Sequence, residues 1–480
     1  MLQISFGTDG WRGIIARDFT FANVELVARA VVMYMKKHAL AGRGVVIGHD
    51  NRFLSDKFAE TVAGVFSAGN IPVYIVEKSV PTPVVAFAIQ EYHAGGAVML
   101  TASHNPPEYN GFKFIPDYAG PALPHITGEI EENIKKLEQN QEPWPVNKDA
   151  VIRNNGGKNI SGRQGQSIDP RPAYFAHLKK LVDFETIGRA DLKVVVDPMY
   201  GAGIGFLEDI LKAAGAAVEV IHDQRDPLFG GVLPEPTGQS LGELRARVIK
   251  SGADLGLALD GDADRFGIID CDGSYVSPNQ FLPIVYYHLL IALGLQGPVA
   301  RSVATTHLLD RIALRSGQQV YETPVGFKYI SQHLMEKDCL LGGEESGGLS
   351  VRGHIPEKDG VLAGLLAAQI VAHHQKSLGG LRAEIWSRYG RLDSERIDLR
   401  VSQEEKERML ETLKKFTPAE VAGRKVTGRF PVDGTKLVLE DGSWLLIRAS
   451  GTEPLFRIYV EANNPEELEE IQQWCRLLFG

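Results

Sequence analysis

Three aspartates at alternate positions follow a short apolar run in the stretch LALDGDADRFGIID (257–270). They are Asp260, Asp262 and Asp264. Carboxylates this close repel one another and need a cation, and hard oxygen ligands favour Mg²⁺ or Ca²⁺ over Zn²⁺. An EF-hand is a poor match, because Arg265 takes the place of its glycine and Cys271 that of its final glutamate. The pattern predicts a Mg²⁺ site that leaves one coordination position for a phosphate oxygen, and the alternative is a solvated acidic turn.

A second stretch, TASHNPPEYNGFK (101–113), ends the apolar run AVML abruptly. Its two prolines, two asparagines and glycine are incompatible with a helix or a long strand, so we expect a rigid polar loop. The loop presents Ser103 beside His104, with Lys113 further along. One interpretation is a plain surface turn, and the other is a nucleophile held at the end of a strand.

Four further loops carry polar or basic side chains between glycines. LLGGEESGGLSVRGHIPEKDG (340–360) offers donors and acceptors suited to sugar hydroxyls, and the turn of LIRASGTEPLFRIYVEA (446–462) has the form of a phosphate site. FGTDGWRG (6–13) and TPVGFK (323–328) each place a cation beside glycines. The candidate residues in these loops are Arg12, Gly326, Lys328, Glu344, Ser346, His354, Lys358, Arg448, Ser450, Gly451, Thr452 and Arg457. Taken singly, each loop is also compatible with a solvated turn.

The loops need a scaffold, and a pattern of apolar strand, helix, glycine and second strand recurs three times. The copies begin at GVVIGHDNR (44–52), LKVVVDPMYGAG (192–203) and GPVARSVATT (297–306), and their helices end at Gly69, Gly215 and Gly317. We expect each glycine to adopt a left-handed conformation at the end of its helix. A strand, a helix and a second strand with a short return predict parallel strands in α/β domains.

The pattern changes after about residue 388. A charged helix (403–415), a hairpin around an Asp-Gly turn and a closing helix that begins near Pro465 predict a smaller domain. The fold class is therefore α/β, with three similar mixed-sheet domains and a C-terminal α+β domain. The predicted domains are 1–153, 154–274, 275–387 and 388–480, with linkers at 154–167 and 273–280.

Composition excludes several classes of protein. The 480 residues carry a net charge of −9, which argues against nucleic acid and anionic membranes as partners. The three cysteines have neither metal-type spacing nor a disulfide framework, and the sequence shows no signal peptide and no apolar run that could span a bilayer. We therefore expect a cytoplasmic protein.

Four motifs occur in order, one in each predicted domain: TASHNP, DGDADR, GGEESGG and RASGTEP. Together with FGTDGWRG, they make the chain resemble the α-D-phosphohexomutases, the phosphoglucomutase/phosphomannomutase family, over essentially its whole length. It is most similar to the prokaryotic phosphoglucomutases. The resemblance implies four domains around a central cleft, each contributing one loop, and a mobile last domain.

The resemblance also implies a role for each loop. Ser103 is the serine that carries phosphate, and one of its phosphate oxygens joins Asp260, Asp262 and Asp264 around Mg²⁺. Glu344 and Ser346 bind sugar hydroxyls. The substrate's non-reacting phosphate is held by Arg448, Ser450, Gly451 and Thr452, and the transferring phosphoryl group is surrounded by Arg12, His104, Lys113 and Arg265.

The implied reaction interconverts hexose 1-phosphate and hexose 6-phosphate through a bisphosphate, with glucose 1,6-bisphosphate as activator. Many dual-specificity relatives carry a histidine where this chain has Gly348, so Lys358, Lys113 and His354 are rival candidates for the base. The sequence GEES in the sugar loop resembles the sequence of this loop in glucose-preferring family members. The alternatives are a phosphomannomutase or dual-specificity mutase, a metal-dependent sugar phosphatase and a non-catalytic sensor. The expected partner is a small phosphosugar, and the protein is expected to be a monomer or a homodimer.

Overall fold

The computed structural model describes residues 4–7, 9–140, 165–449 and 455–479. The chain divides into two compact units: unit 1 is Met1–Ser277 with Ser346–Ser377, and unit 2 is Pro278–Glu345 with Leu378–Gly480. The finer division into four domains stays a prediction. No helix in the described part of the chain is both long and apolar enough to cross a membrane.

The first part of unit 1 is a six-stranded sheet. Its strands are β1 (Trp11–Ile14), β2 (Val45–His49), β3 (Val73–Val76), β4 (Gly96–Leu100), β5 (Tyr109–Pro116) and β6 (Gly165–Ile168), and its helices are α1 (Phe21–Lys37), α2 (Ser55–Ala68), α3 (Thr82–Glu91) and α4 (Pro124–Asn140). The spatial order is β1-β5-β4-β2-β3-β6. Strands β4, β2, β3 and β6 are parallel, and β5 is antiparallel to both β4 and β1. The carboxyl ends of β2 and β4 therefore meet at one edge of the sheet.

The core of this sheet forms against helices α1, α2 and α4. In α1 the buried residues Val24, Val27 and Val31 recur at the spacing that places them on one face of a helix. The helix begins where the side chain of Thr20 accepts a hydrogen bond from the backbone N–H of Asn23. Helix α3 packs against β2 and β4.

The second part of unit 1 is a five-stranded sheet. Its elements are α5 (Arg171–Leu181), α6 (Phe184–Arg189), β7 (Lys193–Asp197), α7 (Leu207–Ala213), β8 (Ala217–Val220), α8 (Gly242–Ser251), β9 (Leu255–Leu259), β10 (Phe266–Asp270) and β11 (Tyr275–Val276). The spatial order is β11-β10-β9-β7-β8. Strand β7 is parallel to β8 and β9, whereas β9, β10 and β11 form antiparallel neighbours. The aspartate stretch is the tight connection between β9 and β10.

Unit 2 begins with a segment built on parallel strands. Its elements are α9 (Pro278–Tyr287), β12 (Val299–Ser302), α10 (Leu308–Arg315), β13 (Val320–Thr323), α11 (Phe327–Lys337) and β14 (Leu341–Glu344). Strand β12 pairs in parallel with both β13 and β14. The sugar-type loop starts at the carboxyl end of β14.

The chain then returns to unit 1 with β15 (Gly348–Val351) and α12 (Gly360–His374). Helix α12 is buried from Gly360 to Ala372 and packs against α6, α7, β9 and β10. A helix that is apolar on all sides is stable only when it is enclosed in this way. It starts where Asp359 accepts a hydrogen bond from the N–H of Leu362.

The remainder of unit 2 is a six-stranded antiparallel sheet with flanking helices. Its elements are α13 (Leu378–Tyr389), β16 (Asp393–Arg400), α14 (Gln403–Lys414), β17 (Glu420–Val421), β18 (Arg424–Phe430), β19 (Thr435–Leu439), β20 (Trp444–Ala449), β21 (Leu455–Ala462) and α15 (Pro465–Phe479). The order is β16-β21-β20-β19-β18-β17. The predicted hairpin is β19–β20, and the predicted closing helix begins at Pro465.

The fold-class prediction is confirmed, and all three predicted strand–helix–strand units have parallel strands. Gly215 (φ +99°) and Gly317 (φ +67°) end their helices in the expected left-handed region. The expectation was wrong for Gly69, whose φ is −76°, because Asn70 (φ +59°) takes that conformation instead. A Cβ at Gly69 would lie 2.8 Å from Val32 Cγ1, so close packing against α1 requires this glycine.

Three local expectations also differ from the structure. The stretch predicted as a loop up to Lys113 already forms β5 from Tyr109 onward, so Lys113 is a strand residue paired with Met99. The predicted linker 273–280 contains β11 and the start of α9. Of the predicted linker 154–167, the last residues form the start of β6, and the rest lies outside the described residues.

Candidate active site

Ser103 lies just beyond the end of β4, and its hydroxyl points at an aspartate. Its Oγ donates a hydrogen bond of 2.8 Å to Asp260 Oδ2 and lies 3.3 Å from His104 Nδ1. The serine is 1% exposed. Its φ of +50° is unusual for a residue with a side chain, and such strain persists only where neighbouring contacts hold it. One such contact is the bond from the Ser103 N–H to Thr101 Oγ1.

The predicted aspartate cluster is present and buried. One oxygen from each of Asp260, Asp262 and Asp264 lies within 4.8 Å of the other two. Burial and the two neighbouring carboxylates raise the pKa of Asp260 well above its ordinary value. In the described part of the chain, Oδ1 of Asp262 and Oδ1 of Asp264 are buried without a hydrogen-bond partner. Buried carboxylate oxygens that lack donors fit a hard divalent cation such as Mg²⁺.

Lys113 and Lys358 supply positive charge beside these aspartates. Lys113 Nζ lies 2.8 Å from Asp9 Oδ2, 2.9 Å from Asp262 Oδ2 and 3.0 Å from Asp264 Oδ2. Burial would lower the pKa of Lys113, but these carboxylates raise it above its usual range. Burial would raise the pKa of Asp262, but Lys113 and a hydrogen bond from Thr82 hold it below its usual range. The Lys113 ammonium is therefore a fixed positive charge.

Lys358 reaches the same group from the segment before α12. Its Nζ lies 3.3 Å from both Asp9 Oδ2 and Asp264 Oδ2, and 3.2 Å from Glu357 Oε1. Burial raises the pKa of Glu357 to about 7, although Lys358 opposes the shift. This segment sits directly on the aspartate loop, because the N–H of Gly360 donates to Ala263 O.

Arg12, on strand β1, and Arg265, in the loop between β9 and β10, both lie in unit 1. Arg12 Nη1 donates to Asn105 Oδ1 from strand β1. The N–H of Arg265 donates to Asp260 Oδ1 at 3.0 Å, and its side chain lies 3.9 Å from Asp264 Oδ1. Unit 1 therefore brings together Ser103, His104, the three aspartates and the cations predicted to surround the phosphoryl group.

His354 is placed differently from the other candidates. Its side chain is completely buried, with Nε2 at 2.8 Å from Asp359 Oδ2 and Nδ1 at 3.1 Å from His177 Nε2. Asp359 Oδ2 also accepts a bond of 2.6 Å from the hydroxyl of Tyr174. His354 thus belongs to a polar network beneath the segment that carries Lys358.

In unit 2, the sugar-type loop leaves β14 with Glu344 and Glu345. Glu345 Oε2 accepts hydrogen bonds from the hydroxyls of Ser302 (2.6 Å) and Thr305 (3.4 Å). Glu344 is largely buried at the end of the strand. In unit 1, the second half of the loop rests on the aspartate stretch, because the N–H of Phe266 donates to Gly347 O.

Asp433 connects Arg448 to the segment that precedes α11 in unit 2. Its Oδ2 lies 2.8 Å from Arg448 Nε and accepts a bond of 3.1 Å from the N–H of Val325. Arg457 lies directly opposite Arg448 on the neighbouring strand. Gly326 precedes α11, whose first turn contains Lys328. The other predicted phosphate-binding residues, Ser450, Gly451 and Thr452, lie outside the described residues.

Comparisons with known proteins cover nearly the whole chain. Four families described as phosphoglucomutase/phosphomannomutase match in order: alpha/beta/alpha domain I at residues 3–141, domain II at 172–273, domain III at 277–389 and the C-terminal domain at 397–476. A protein named phosphoglucomutase/phosphomannomutase from Thermococcus kodakarensis is 31% identical, over 97% of this chain and 96% of its own. The chain belongs to the phosphoglucomutase/phosphomannomutase family.

Other members of the family carry different substrate names. A phosphoglucosamine mutase from Thermobifida fusca is 32% identical over 97% of this chain and 96% of its own. A solved structure from Thermus thermophilus, provisionally named phosphomannomutase, has a TM-score of 0.84 and 34% identity over 99% of each chain. The predicted enzyme class, an intramolecular phosphotransferase, is confirmed for this phosphohexomutase family member, whereas these names do not select one sugar.

Sequence reasoning missed several residues that complete the arrangement in this family member. They are Asp9, Thr82, Glu357 and Asp433. Asp9 lies within FGTDGWRG, three residues before Arg12, and Glu357 directly precedes Lys358. Thr82 and Asp433 lie in segments without any motif, so only the fold reveals their contacts.

Proposed function

We propose that this protein is a phosphoglucomutase that interconverts α-D-glucose 1-phosphate and glucose 6-phosphate through a phosphorylated Ser103. The observation that carries the proposal is the bond of 2.8 Å between Ser103 Oγ and Asp260, within a buried cluster of three aspartates. A serine in this setting suits the transfer of phosphate better than hydrolase chemistry, because its partner is a cation site rather than a histidine–aspartate relay.

In the proposed reaction, the phosphoryl group on Ser103 passes to the free hydroxyl of the sugar phosphate. The hydroxyl proton goes to a basic group, and glucose 1,6-bisphosphate forms. The bisphosphate then returns its other phosphoryl group to Ser103, which releases the isomerised monophosphate. Asp260, Asp262, Asp264 and a phosphate oxygen on Ser103 would hold Mg²⁺, which would neutralise charge on the transferring group.

The basic residues near the transferring phosphoryl group are assigned different roles. Lys113 remains protonated among three carboxylates, so we assign it, with Arg12, His104 and Arg265, to charge neutralisation. Lys358 is assigned to proton transfer together with Glu357, whose carboxylate has a pKa of about 7 and can take up a proton 3.2 Å from Lys358 Nζ. His354 is assigned to supporting Lys358 through Asp359.

Substrate recognition is assigned to the remaining loops. Glu344 and Ser346 bind sugar hydroxyls, since Glu345 is occupied by Ser302. The non-reacting phosphate is bound by Arg448, Arg457, Lys328, the backbone at Gly326, and Ser450, Gly451 and Thr452. The GEES sequence of the sugar loop favours glucose over mannose and glucosamine.

One assay tests the proposal. The protein is incubated with Mg²⁺, a trace of glucose 1,6-bisphosphate and, in turn, the 1-phosphates of glucose, mannose and glucosamine, while hexose 6-phosphate and free phosphate are measured. We expect glucose 6-phosphate as the main product and loss of activity in EDTA. Free phosphate as the main product would contradict the mutase, and faster turnover of mannose 1-phosphate would make the protein a phosphomannomutase.

The variant Ser103→Ala should lower kcat at least about a thousandfold, because the phosphate carrier is lost. Ser443→Ala is a matched control, since Ser443 is also buried and follows β19 in unit 2. The control should keep wild-type kcat. A Ser103→Ala rate close to that of the control would exclude the phosphoserine.

A further inference from the structure

Asn51 and Arg52 follow the carboxyl end of β2 and take no part in the chemistry proposed above. Both side chains are buried, and Arg52 is among the largest fully buried side chains of the described chain. Burying a guanidinium is costly unless its donors are satisfied, so the contacts of Arg52 need a reason.

Arg52 binds the serine loop through its backbone. Its two terminal nitrogens donate to four carbonyl oxygens, those of Ser103 (2.6 Å), Asn105 (2.6 Å), Pro106 (2.7 Å) and Tyr109 (3.0 Å). These carbonyls span the loop from the phosphate-carrying serine to the first residue of β5. The planar guanidinium therefore fixes the loop at four points, which a lysine ammonium with three donors cannot reproduce.

The guanidinium itself is held in place. Its Nε lies 3.2 Å from Asp50 Oδ2, and its central carbon lies 4.9 Å from the centre of the Phe229 ring. An ion pair on one edge and an aromatic ring on one face leave it a single orientation. Arg52 is thus a rigid connection between the end of β2 and the backbone of Ser103.

Asn51 connects the end of β2 to the segment that follows β7. Its Nδ2 donates to Tyr200 O at 2.9 Å and to Gly201 O at 2.8 Å. Met199 and Tyr200 both have left-handed φ angles, +48° and +59°, so this segment is strained and depends on such contacts.

The strained segment lies directly against the aspartate loop. The N–H of Ala202 donates to Gly261 O, and a Cβ at Gly201 would lie 2.8 Å from the same oxygen. A Cβ at Gly261 would in turn lie 2.4 Å from Ser103 O, the carbonyl that Arg52 holds. Arg52 therefore holds the serine loop, and Asn51 holds the segment against which the aspartate loop packs, on the two sides of the contact between Ser103 and Gly261.

We propose that Asn51 and Arg52 form a positioning clamp that sets the location of Ser103 relative to Asp260. The proposal rests on the proposed function of Ser103. It predicts a specific defect, because displacing a reacting group by about 1 Å can slow a reaction by about a hundredfold without abolishing substrate binding. Neither residue touches the substrate in this proposal, so the sugar-phosphate KM should change little.

The first test compares Arg52→Lys with Arg43→Lys. Arg43 is a matched control at the opposite end of β2, where it donates to two carbonyls, those of His93 and Ala94, and pairs with Asp117. Rates are expressed per site that accepts ³²P from glucose 1,6-bisphosphate, so that misfolded protein is not counted. We expect Arg52→Lys to lower kcat at least about tenfold, to keep the KM for glucose 1-phosphate within about twofold and to raise the Mg²⁺ concentration for half-maximal rate. Arg43→Lys should match the wild type in all three.

Asn51→Ala tests the other half of the clamp. If Arg52→Lys does not fold, the result for Asn51→Ala by itself decides whether the clamp positions Ser103. Its control is Asn133→Ala, which removes a buried bond to Ala30 O between α1 and α4. We expect Asn51→Ala to reproduce the fall in kcat and the shift in Mg²⁺ dependence. The double variant should be no slower than Arg52→Lys, because either loss alone disconnects the two loops.

A clear result would overturn the clamp. If the wild type is an active mutase while Arg52→Lys and Asn51→Ala keep kcat within about twofold of their controls, the residues do not position Ser103. The clamp is also contradicted if kcat and KM change together in these variants while the Mg²⁺ concentration for half-maximal rate stays constant. An inactive wild type would instead contradict the proposed function.

Discussion

At the scale of single residues, Lys358 accounts for Gly348. A Cβ at residue 348 would lie 2.6 Å from Lys358 Cδ and 2.7 Å from its Cγ, while the ammonium of Lys358 is held by Asp9, Asp264 and Glu357. A histidine at position 348 and this placement of Lys358 exclude each other. Gly348 therefore leaves the space that the stem of Lys358 fills.

We predict that Gly348→Ala lowers kcat about tenfold and stability by about 1–3 kcal/mol, because the added methyl group displaces Lys358. Steady-state kinetics and urea unfolding measure the two effects. Gly128→Ala in α4 is the control, since a Cβ there meets nothing within 4 Å, and it should be neutral or slightly stabilising. Unchanged kcat in Gly348→Ala would show that Lys358 is not required in this position.

His177 gives the polar network beneath Lys358 a dependence on pH. Burial, together with His354 and Lys180, lowers the pKa of His177 to about 4. A histidine whose pKa is lower in the folded state is neutral there, whereas the unfolded chain binds a proton below its ordinary pKa near 6.5. Its stabilising contribution is therefore complete above pH 6.5 and is lost as the pH falls towards 4.

We expect His177→Gln to flatten this dependence, because the glutamine amide can take the place of the imidazole Nε2 and still donate to His354 Nδ1, but it does not titrate. Between pH 6.5 and pH 4, the wild type should lose on the order of 1–2 kcal/mol more stability than the variant, a value reduced for partial solvent exposure. Urea unfolding at intervals across this range measures the difference. Parallel curves for the two proteins would assign the acid sensitivity to other groups.

At the scale of elements, the three strand–helix–strand units place different residues in the left-handed conformation that follows the helix. In two of them a glycine adopts the left-handed conformation after the helix, and in the first Asn70 does so while Gly69 packs against Val32. Asparagine tolerates this region better than most residues, but glycine tolerates it best.

The first unit therefore separates the two roles of a glycine at a helix end. Asn70→Gly should leave stability unchanged or raise it slightly, whereas Gly69→Ala should cost about 1–3 kcal/mol through overlap with Val32. Thermal unfolding of both variants measures this. Equal losses in both would mean that backbone conformation, rather than packing, requires Gly69.

Local patterns predicted these units and the aspartate cluster because both depend on neighbours in the sequence. Apolar periodicity fixed the strands β2, β7 and β12, and alternate carboxylates after β9 indicated a cation site. The pattern could not show that β5 begins immediately after the prolines, because pairing with β1 and β4 decides that. Nor could it show that Arg52 turns back onto the serine loop, since its four acceptors are backbone groups that every residue carries.

At the scale of the whole molecule, buried charges join the two parts of unit 2. Lys436 Nζ donates to Val303 O (3.0 Å) and Glu322 Oε2 (2.8 Å), and it lies 2.9 Å from His307 Nε2. Glu461 accepts bonds from Trp444 Nε1 and from the N–H of His307. A last domain that moves, as the family resemblance implies, must carry these partners with it or break their contacts.

We predict that Lys436→Met lowers the stability of unit 2 by about 2 kcal/mol, because Glu322 keeps Arg301 but loses one buried cation. Amide hydrogens of β19 and β20 should exchange faster. Lys425→Met, an exposed change on the adjacent β18, is the control and should leave exchange unaltered. If both variants exchange alike, the buried lysine does not join the two parts of unit 2.

Unit 1 is interrupted in the sequence, and this has a consequence for its synthesis on the ribosome. Helix α12, which packs on β9 and β10, is made only after the whole segment 278–345 of the other unit. Until Gly360 leaves the exit tunnel, the aspartate loop lacks its bond at Ala263 and its lysine at 358. The nascent chain must therefore hold an unfinished, negatively charged loop through the translation of the 93 residues that separate Asp264 from Lys358.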